Sequence, residues 1–156
     1  MSFRDLVEIH GKTSVQHLVP LPYEYNALEP IIDEETMVEH HTKHLKKYVD
    51  TYNTLIDGTP ASQRNLEEVL GDIRSYDNGI RNNGGGIWNH NFFFSLLTPN
   101  KTTPKGKLEL GISKKWGNVD GFIEKFREEG LKRFGCFGCH CIYNIIHNMS
   151  LNNFYL

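Results

Sequence analysis

A run of three glycines leading into a histidine constrains this chain more than any other feature of its sequence. Residues 82–90 are Asn-Asn-Gly-Gly-Gly-Ile-Trp-Asn-His, and three phenylalanines follow at 92–94. Each glycine inside a helix costs about 1 kcal/mol relative to alanine. Three in succession are therefore expected where another backbone or a metal centre must come close to the helix. His90, bracketed by aromatic residues, is well placed to be a metal ligand shielded from bulk water.

A second group of histidines lies on a separate predicted helix. His40, His41 and His44 belong to the sequence His-His-Thr-Lys-His, and Tyr48 follows one turn later. His40, His44 and Tyr48 recur at intervals of four residues and so share one helix face. Two helices that each direct one histidine inward would provide half of a four-ligand metal site. Taken alone, however, a helical histidine is more often a surface residue or a hydrogen-bonded core residue than a ligand.

Composition limits the class of protein. The 156 residues include 23% charged and 38% hydrophobic residues, with a formal net charge of −2, as is typical of one globular domain or two small ones. This charge, with no basic stripe, argues against nucleic acid as a partner. No apolar run has the length of a membrane span, and residues 1–13 contain no secretory signal. We therefore expect no membrane partner and a cytoplasmic location.

Capping residues and helix breakers predict a series of helices and no strand before residue 136. Asp33 and Asn65 are good N-caps, and Gly58 and Pro99 are good stops. The predicted helices are 34–56, 66–72, 80–97, 105–116 and 119–134.

The composition changes abruptly after Gly135. Residues 136–156 contain no Asp, Glu, Lys or Arg, and they hold all three cysteines, Cys136, Cys139 and Cys141. Cys-Phe-Gly-Cys-His matches the attachment pattern of c-type haem. Three thiols with His140 could instead hold zinc, although no second ligand pair encloses the ion. The simplest interpretation is a thiol-rich tail with no metal role.

Several spaced blocks of the sequence resemble the iron/manganese superoxide dismutase family. The blocks are 21–23, 27–30, 36–44, 48–49, 82–86, 88–90, 92–93, 116–122, 126 and 133–135. The resemblance implies a mainly α fold, with a long antiparallel helical hairpin followed by the first helices of a truncated α+β domain. It divides the chain into an N-terminal extension (1–20), the hairpin domain (21–100), the start of the C-terminal domain (101–135) and an atypical Cys/Asn-rich tail (136–156).

The same resemblance assigns roles to individual residues. His40 and His90 would be ligands of one manganese or iron ion, His44 a histidine near the substrate channel, and Tyr48 a gateway tyrosine in the hydrogen-bond network around the metal-bound solvent. Gly86 stands where iron-type members tend to carry glutamine, which favours manganese. The family converts superoxide to oxygen and hydrogen peroxide, and its intact members form homodimers.

Neighbouring residues are expected to support such a site. Lys43 would help to attract the superoxide anion. His41, one residue further round the helix, is expected to face solvent or a partner. The aromatic residues of the glycine-rich helix are expected to belong to the core, with some of them lining the site: Trp88, Phe92, Phe93 and Phe94.

The resemblance ends within one residue of Gly135. The family's aspartate and third histidine come from an Asp-x-Trp-x-x-His block, whereas here the last aspartate is Asp120 and the tail carries only His140 and His147. The chain thus has two of four expected ligands, so we expect a poorly active or inactive protein and a doubtful homodimer. A change of reading frame after Gly135 would produce so abrupt a pattern. The alternatives are a non-catalytic fragment that binds a partner through its unfinished face and a cysteine-rich metal-binding module.

Overall fold

A computed structural model of the chain describes residues 13–132. Two compact units divide between Asn100 and Lys101. Across the described range the structure is helical and has no strand, which confirms the mainly α prediction. None of its helices is long and apolar enough to cross a bilayer. The tail 136–156, with its cysteines and His140 and His147, lies outside the described residues, as does most of the N-terminal extension.

The first unit is built on two long helical segments. Helix α1, Glu34–Val38, continues through a π-helical segment, Glu39–Leu45, into α2, Lys46–Ile56. The backbone stays helical at both joins, so residues 34–56 form one long helix. Helix α3 is Leu66–Gly71 and α4 is Asn78–Leu96, with 3₁₀ turns at Tyr25–Leu28, Pro60–Gln63 and Ile73–Ser75.

Side-chain caps start these helices. The Asp33 carboxylate accepts a hydrogen bond from the backbone N–H of Thr36 at 2.7 Å. Asn65 and Glu68 form a reciprocal capping box, and both predicted caps are thereby confirmed. The α4 cap is Asp77, whose carboxylate accepts from the N–H of Ile80 at 3.0 Å. Helix α4 therefore begins two residues before the predicted start.

The two long segments lie antiparallel, because the residues that meet across them run in opposite chain order. The meeting pairs are Leu55 with Gly79, Tyr52 with Gly84, Tyr48 with Gly86, His44 with His90, and His40 with Phe94. The predicted antiparallel hairpin is confirmed.

The core of this unit contains a stripe of residues spaced by four that runs through the π-helical segment and one step beyond it at each end. Met37, His41, Leu45 and Val49 are all buried. In a regular α-helix a step of four residues overshoots a full turn by about 40°. Such a stripe would wind round the helix, whereas the wider π turn keeps its members facing the same core.

The second unit consists of α5, Lys107–Trp116, and α6, Val119–Lys132. Asn118 caps α6, because its side-chain oxygen accepts a hydrogen bond from the N–H of Gly121 at 2.8 Å. The rings of Trp116 and Phe122 lie 5.1 Å apart in an edge-on contact. Large apolar side chains remain exposed on both helices: Leu108, Leu110, Ile123 and Leu131.

Candidate metal centre

Three histidines converge where the hairpin helices face each other. His40, His44 and His90 each offer a ring nitrogen, and these three atoms lie within 4.8 Å of one another. The ring centroids are 5.1 Å apart for His40 and His90, 5.1 Å for His44 and His90, and 5.6 Å for His40 and His44. Within residues 13–132 this is the one group of three or more His, Cys, Asp or Glu side chains close enough to share an ion.

The backbone orients His90. Its Nδ1 lies 2.7 Å from the carbonyl oxygen of Gly86, one turn earlier in α4. A carbonyl can only accept, so Nδ1 carries the proton and donates, and Nε2 keeps a free lone pair. Metal-binding histidines are usually held in this way, through a hydrogen bond from the other ring nitrogen. The donor set is therefore suited to a transition metal that accepts imidazole.

Burial favours the neutral form of two of these rings. It lowers the pKa of His40, and the nearby charges of His90 and His44 lower it further. Burial also lowers the pKa of His90, although the hydrogen bond to Gly86 opposes this effect. Since a neutral imidazole is the form that binds a metal ion, both rings are ready to act as ligands near neutral pH.

Tyr48 lies beside the cluster and explains part of the glycine run. Its ring centroid is 5.2 Å from those of both His90 and His44. A Cβ atom on Gly86 would lie 2.5 Å from Cδ1 of this ring, so only glycine fits without a shift. The close approach to the glycine run that the sequence predicts is therefore present, but the group that approaches Gly86 is the Tyr48 ring rather than a backbone or a metal. The hydrogen bond of the Tyr48 hydroxyl stays a prediction.

The other two glycines of the run differ from each other. A Cβ atom on Gly84 would lie 3.0 Å from Cε2 of Tyr52, whereas one on Gly85 would have no neighbour within 4 Å. Packing of the hairpin therefore requires glycine strongly at Gly86, mildly at Gly84 and not at all at Gly85.

The aromatic residues near the cluster are only partly core. Phe94 is 2% exposed, and its ring lies 5.1 Å from that of His40. Trp88 and Phe92 are half-buried and stack on each other at 5.5 Å. Phe93 also borders His40, at 5.7 Å, but it is 40% exposed. The prediction of a core position was wrong for Phe93, which lies at the edge of the helix contact.

His41 also differs from expectation. It is 3% exposed, with Nε2 2.7 Å from the Val19 carbonyl oxygen and Nδ1 2.9 Å from the Tyr25 hydroxyl. Nε2 donates to the carbonyl, and Nδ1 accepts from the hydroxyl. The prediction that His41 faces solvent or a partner was wrong, because the π turn brings it onto the core face and both ring nitrogens find partners there. The four-residue spacing from Met37 to Val49 was the signal that could have revealed this.

An open depression of about 680 Å³ adjoins the cluster. Its lining residues are Asp33, Glu35, Thr36, Glu39, His40, Lys43, His44 and Lys47. Lys43, the predicted anion attractor, forms an ion pair with Glu39 on the same helix. Exposed pairs of this kind are weak, but the carboxylate offsets the field of the ammonium group next to the histidines.

Known proteins match the part of the chain that contains the cluster. Residues 16–98 match the family described as iron/manganese superoxide dismutases, alpha-hairpin domain. A protein named superoxide dismutase (Mn), from Buchnera aphidicola subsp. Acyrthosiphon pisum (strain APS), is 41% identical over 122 residues. The match covers 76% of this chain and 60% of the relative, so the chain spans about three-fifths of the length of that protein.

Proposed function

The chain belongs to the iron/manganese superoxide dismutase family, and from this premise we propose that His40 and His90 are its ligands for one manganese or iron ion. The observation that carries the proposal is the convergence of imidazole nitrogens from two antiparallel helices. The fixed tautomer of His90 supports it, since Nε2 is left free to bind. Manganese is favoured, because Gly86 stands where iron-type members tend to carry glutamine and because the relative is named for manganese.

The proposed substrate is superoxide. A redox metal would supply one-electron exchange at this position, and two superoxide anions with two protons give oxygen and hydrogen peroxide. Because the reaction consumes protons, titratable groups beside the metal matter. We assign the catalytic positions to His44, which is exposed at the mouth of the depression, and to Tyr48, whose ring borders both His44 and His90.

Activity of this chain is proposed to be low. Within the described range the cluster offers imidazole donors alone. Manganese prefers sites that include carboxylate oxygen, and it stands at the weak end of the divalent series. We propose a cytoplasmic protein that binds manganese weakly and turns superoxide over poorly, and we do not extend the homodimer of the family to it.

The test measures metal content and superoxide turnover of the full chain after reconstitution with Mn²⁺ or Fe²⁺. We expect substoichiometric manganese, lost in His40→Ala and in His90→Ala but kept in His17→Ala, which removes an exposed histidine away from the cluster. Near-stoichiometric manganese with high turnover would contradict the weak site. Unchanged metal content in both cluster variants would contradict the ligand assignment.

A second candidate function, a non-catalytic interaction module, is favoured by the exposed apolar side chains of the second unit. Leu110 and Leu131 are 70% and 83% exposed, and apolar surface of this kind promotes association when it is contiguous. Sedimentation of the full chain tests this role. Association that disappears in the Leu110→Glu/Leu131→Glu variant would support it, and a monomer at all concentrations would count against self-association.

A further inference from the structure

His44 belongs to the histidine cluster as closely as the two proposed ligands do. Its ring is as near to that of His90 as the ring of His40 is, 5.1 Å in both cases. Its ligand atom also lies within 4.8 Å of the other two. The proposed dismutase site uses two of these imidazoles as ligands, but the geometry offers three.

We propose that His40, His44 and His90 together bind a divalent cation that prefers nitrogen ligands, such as Zn²⁺ or Co²⁺, more tightly than Mn²⁺. The inference rests on the proposed function in that both use His40 and His90. It differs from that function in the third ligand and in the preferred metal.

The distances allow such a site after a small adjustment. Zn–N bonds of about 2.0–2.1 Å in tetrahedral geometry place ligand nitrogens about 3.4 Å apart. The present separations of up to 4.8 Å must therefore shorten by at most about 1.4 Å. His90 is held by its hydrogen bond to Gly86, whereas His44 is exposed and can rotate without disturbing the core.

The donor chemistry determines the preference. Imidazole suits zinc, copper, nickel and iron, whereas carboxylate and water suit manganese. In the described part of the chain no carboxylate joins the cluster. Affinity for one set of nitrogen ligands rises from Mn²⁺ through Co²⁺ to Cu²⁺, with Zn²⁺ also above Mn²⁺. Three histidines leave a fourth position for water, as in zinc sites that are not closed by protein.

The tail supplies a competing source of ligands, which the experiment must separate. Cys136, Cys139 and Cys141 lie close together in the sequence, and thiolates bind the same soft or borderline cations. Co²⁺ distinguishes the two sites, because a thiolate ligand adds a near-ultraviolet charge-transfer band that imidazole does not give. The full chain is compared with a full chain that carries Cys136→Ser, Cys139→Ser and Cys141→Ser.

The experiment titrates Co²⁺, Zn²⁺ and Mn²⁺ into both chains and into three single variants of the cysteine-free chain. In the cysteine-free chain we expect one equivalent of Co²⁺ without a thiolate band, and tighter binding of Zn²⁺ and Co²⁺ than of Mn²⁺. Loss of an outer-shell partner of a metal site already costs about 10–100-fold in affinity, so His44→Gln, which removes a proposed direct ligand, should weaken Zn²⁺ and Co²⁺ binding about tenfold or more. His17→Gln is the matched control and should change nothing, and far-ultraviolet dichroism checks that each variant is folded.

The outcomes separate this inference from the proposed function. If His44→Gln leaves Zn²⁺ and Co²⁺ affinity unchanged while His90→Gln weakens all three metals, the three-histidine site is refuted and the two proposed ligands stand. If His90→Gln changes no affinity, both proposals fail. If the cysteine-free chain binds no Co²⁺ or Zn²⁺, the inference is overturned, and any metal bound by the full chain is then assigned to the tail cysteines.

Discussion

Replacing Gly86 with alanine should destabilise the hairpin, although alanine is the better helix former. The added Cβ would lie 2.5 Å from Cδ1 of Tyr48 and 2.8 Å from both Cε1 and Cγ. These atoms belong to a rigid ring that is itself packed between His44 and His90. The clash is therefore relieved only if the tyrosine ring or α4 moves.

The expected size of the effect comes from two opposing contributions. Inserting a methyl group into a packed contact costs about 1–3 kcal/mol. Alanine in place of a helical glycine contributes about 1 kcal/mol in the other direction. The Gly86→Ala variant should thus lose about 0–2 kcal/mol of unfolding free energy, whereas Gly85→Ala, with nothing within 4 Å of its Cβ, should gain up to about 1 kcal/mol. Gly84→Ala should fall between them.

The assay is urea unfolding followed by far-ultraviolet dichroism, with comparison restricted to variants whose slope against urea is unchanged. A double-mutant cycle identifies the cause. In a Tyr48→Ala background Gly86→Ala should become as favourable as Gly85→Ala, because the ring is gone. Tyr48→Phe keeps the ring and should keep the penalty. Equal stability of Gly85→Ala and Gly86→Ala in the wild-type background would refute this account of the glycine run.

Two further predictions concern buried polar groups. The Tyr52 hydroxyl is buried with no hydrogen-bond partner among the described residues, so Tyr52→Phe should raise the unfolding free energy by about 1 kcal/mol. Tyr23→Phe removes a 2.9 Å hydrogen bond to the Phe94 carbonyl oxygen and should lower the unfolding free energy. An equal loss of unfolding free energy in the two variants would contradict the argument. Burial places the folded-state pKa values of His40, His41 and His90 below the usual 6.5, so the unfolded chain binds more protons in mildly acidic solution. The contribution of these neutral histidines to the stability of the metal-free chain should therefore be fully present above about pH 6.5 and be lost as the pH falls through their lowered pKa values. A urea midpoint that rises on acidification would show the sign to be wrong.

Local rules predicted the helix ends well where a single side chain determines them. Asp33 and Asn65 cap helices as expected, because an N-cap bond involves residues two or three apart in sequence. The start of α4 was predicted less well. Asn78-Gly79 is a dipeptide typical of turns, yet the carboxylate of Asp77 draws both residues into the helix.

The candidate site was only partly accessible to sequence reasoning. A spacing of four places His40 and His44 on one face, and the family resemblance names His90 on the facing helix. Neither source says which atoms come together, because that depends on how closely the helices pack. The burial of Phe93 was predicted wrongly for the same reason, since helical spacing does not tell which of three consecutive phenylalanines lies at the edge of the contact.

The π-helical segment explains why His41 is buried in the core while His44 is exposed. His41 and His44 differ by three residues and would share a face of a regular α-helix. In the structure His41 is bound to Val19 and Tyr25 inside the core, and His44 is exposed beside His90. The wider turn rotates the buried face that carries His41 away from the face that carries His40 and His44. Within five consecutive residues the π-helical segment therefore places His41 in the core and both His40 and His44 in the candidate cluster. Such segments frequently occur at functional sites.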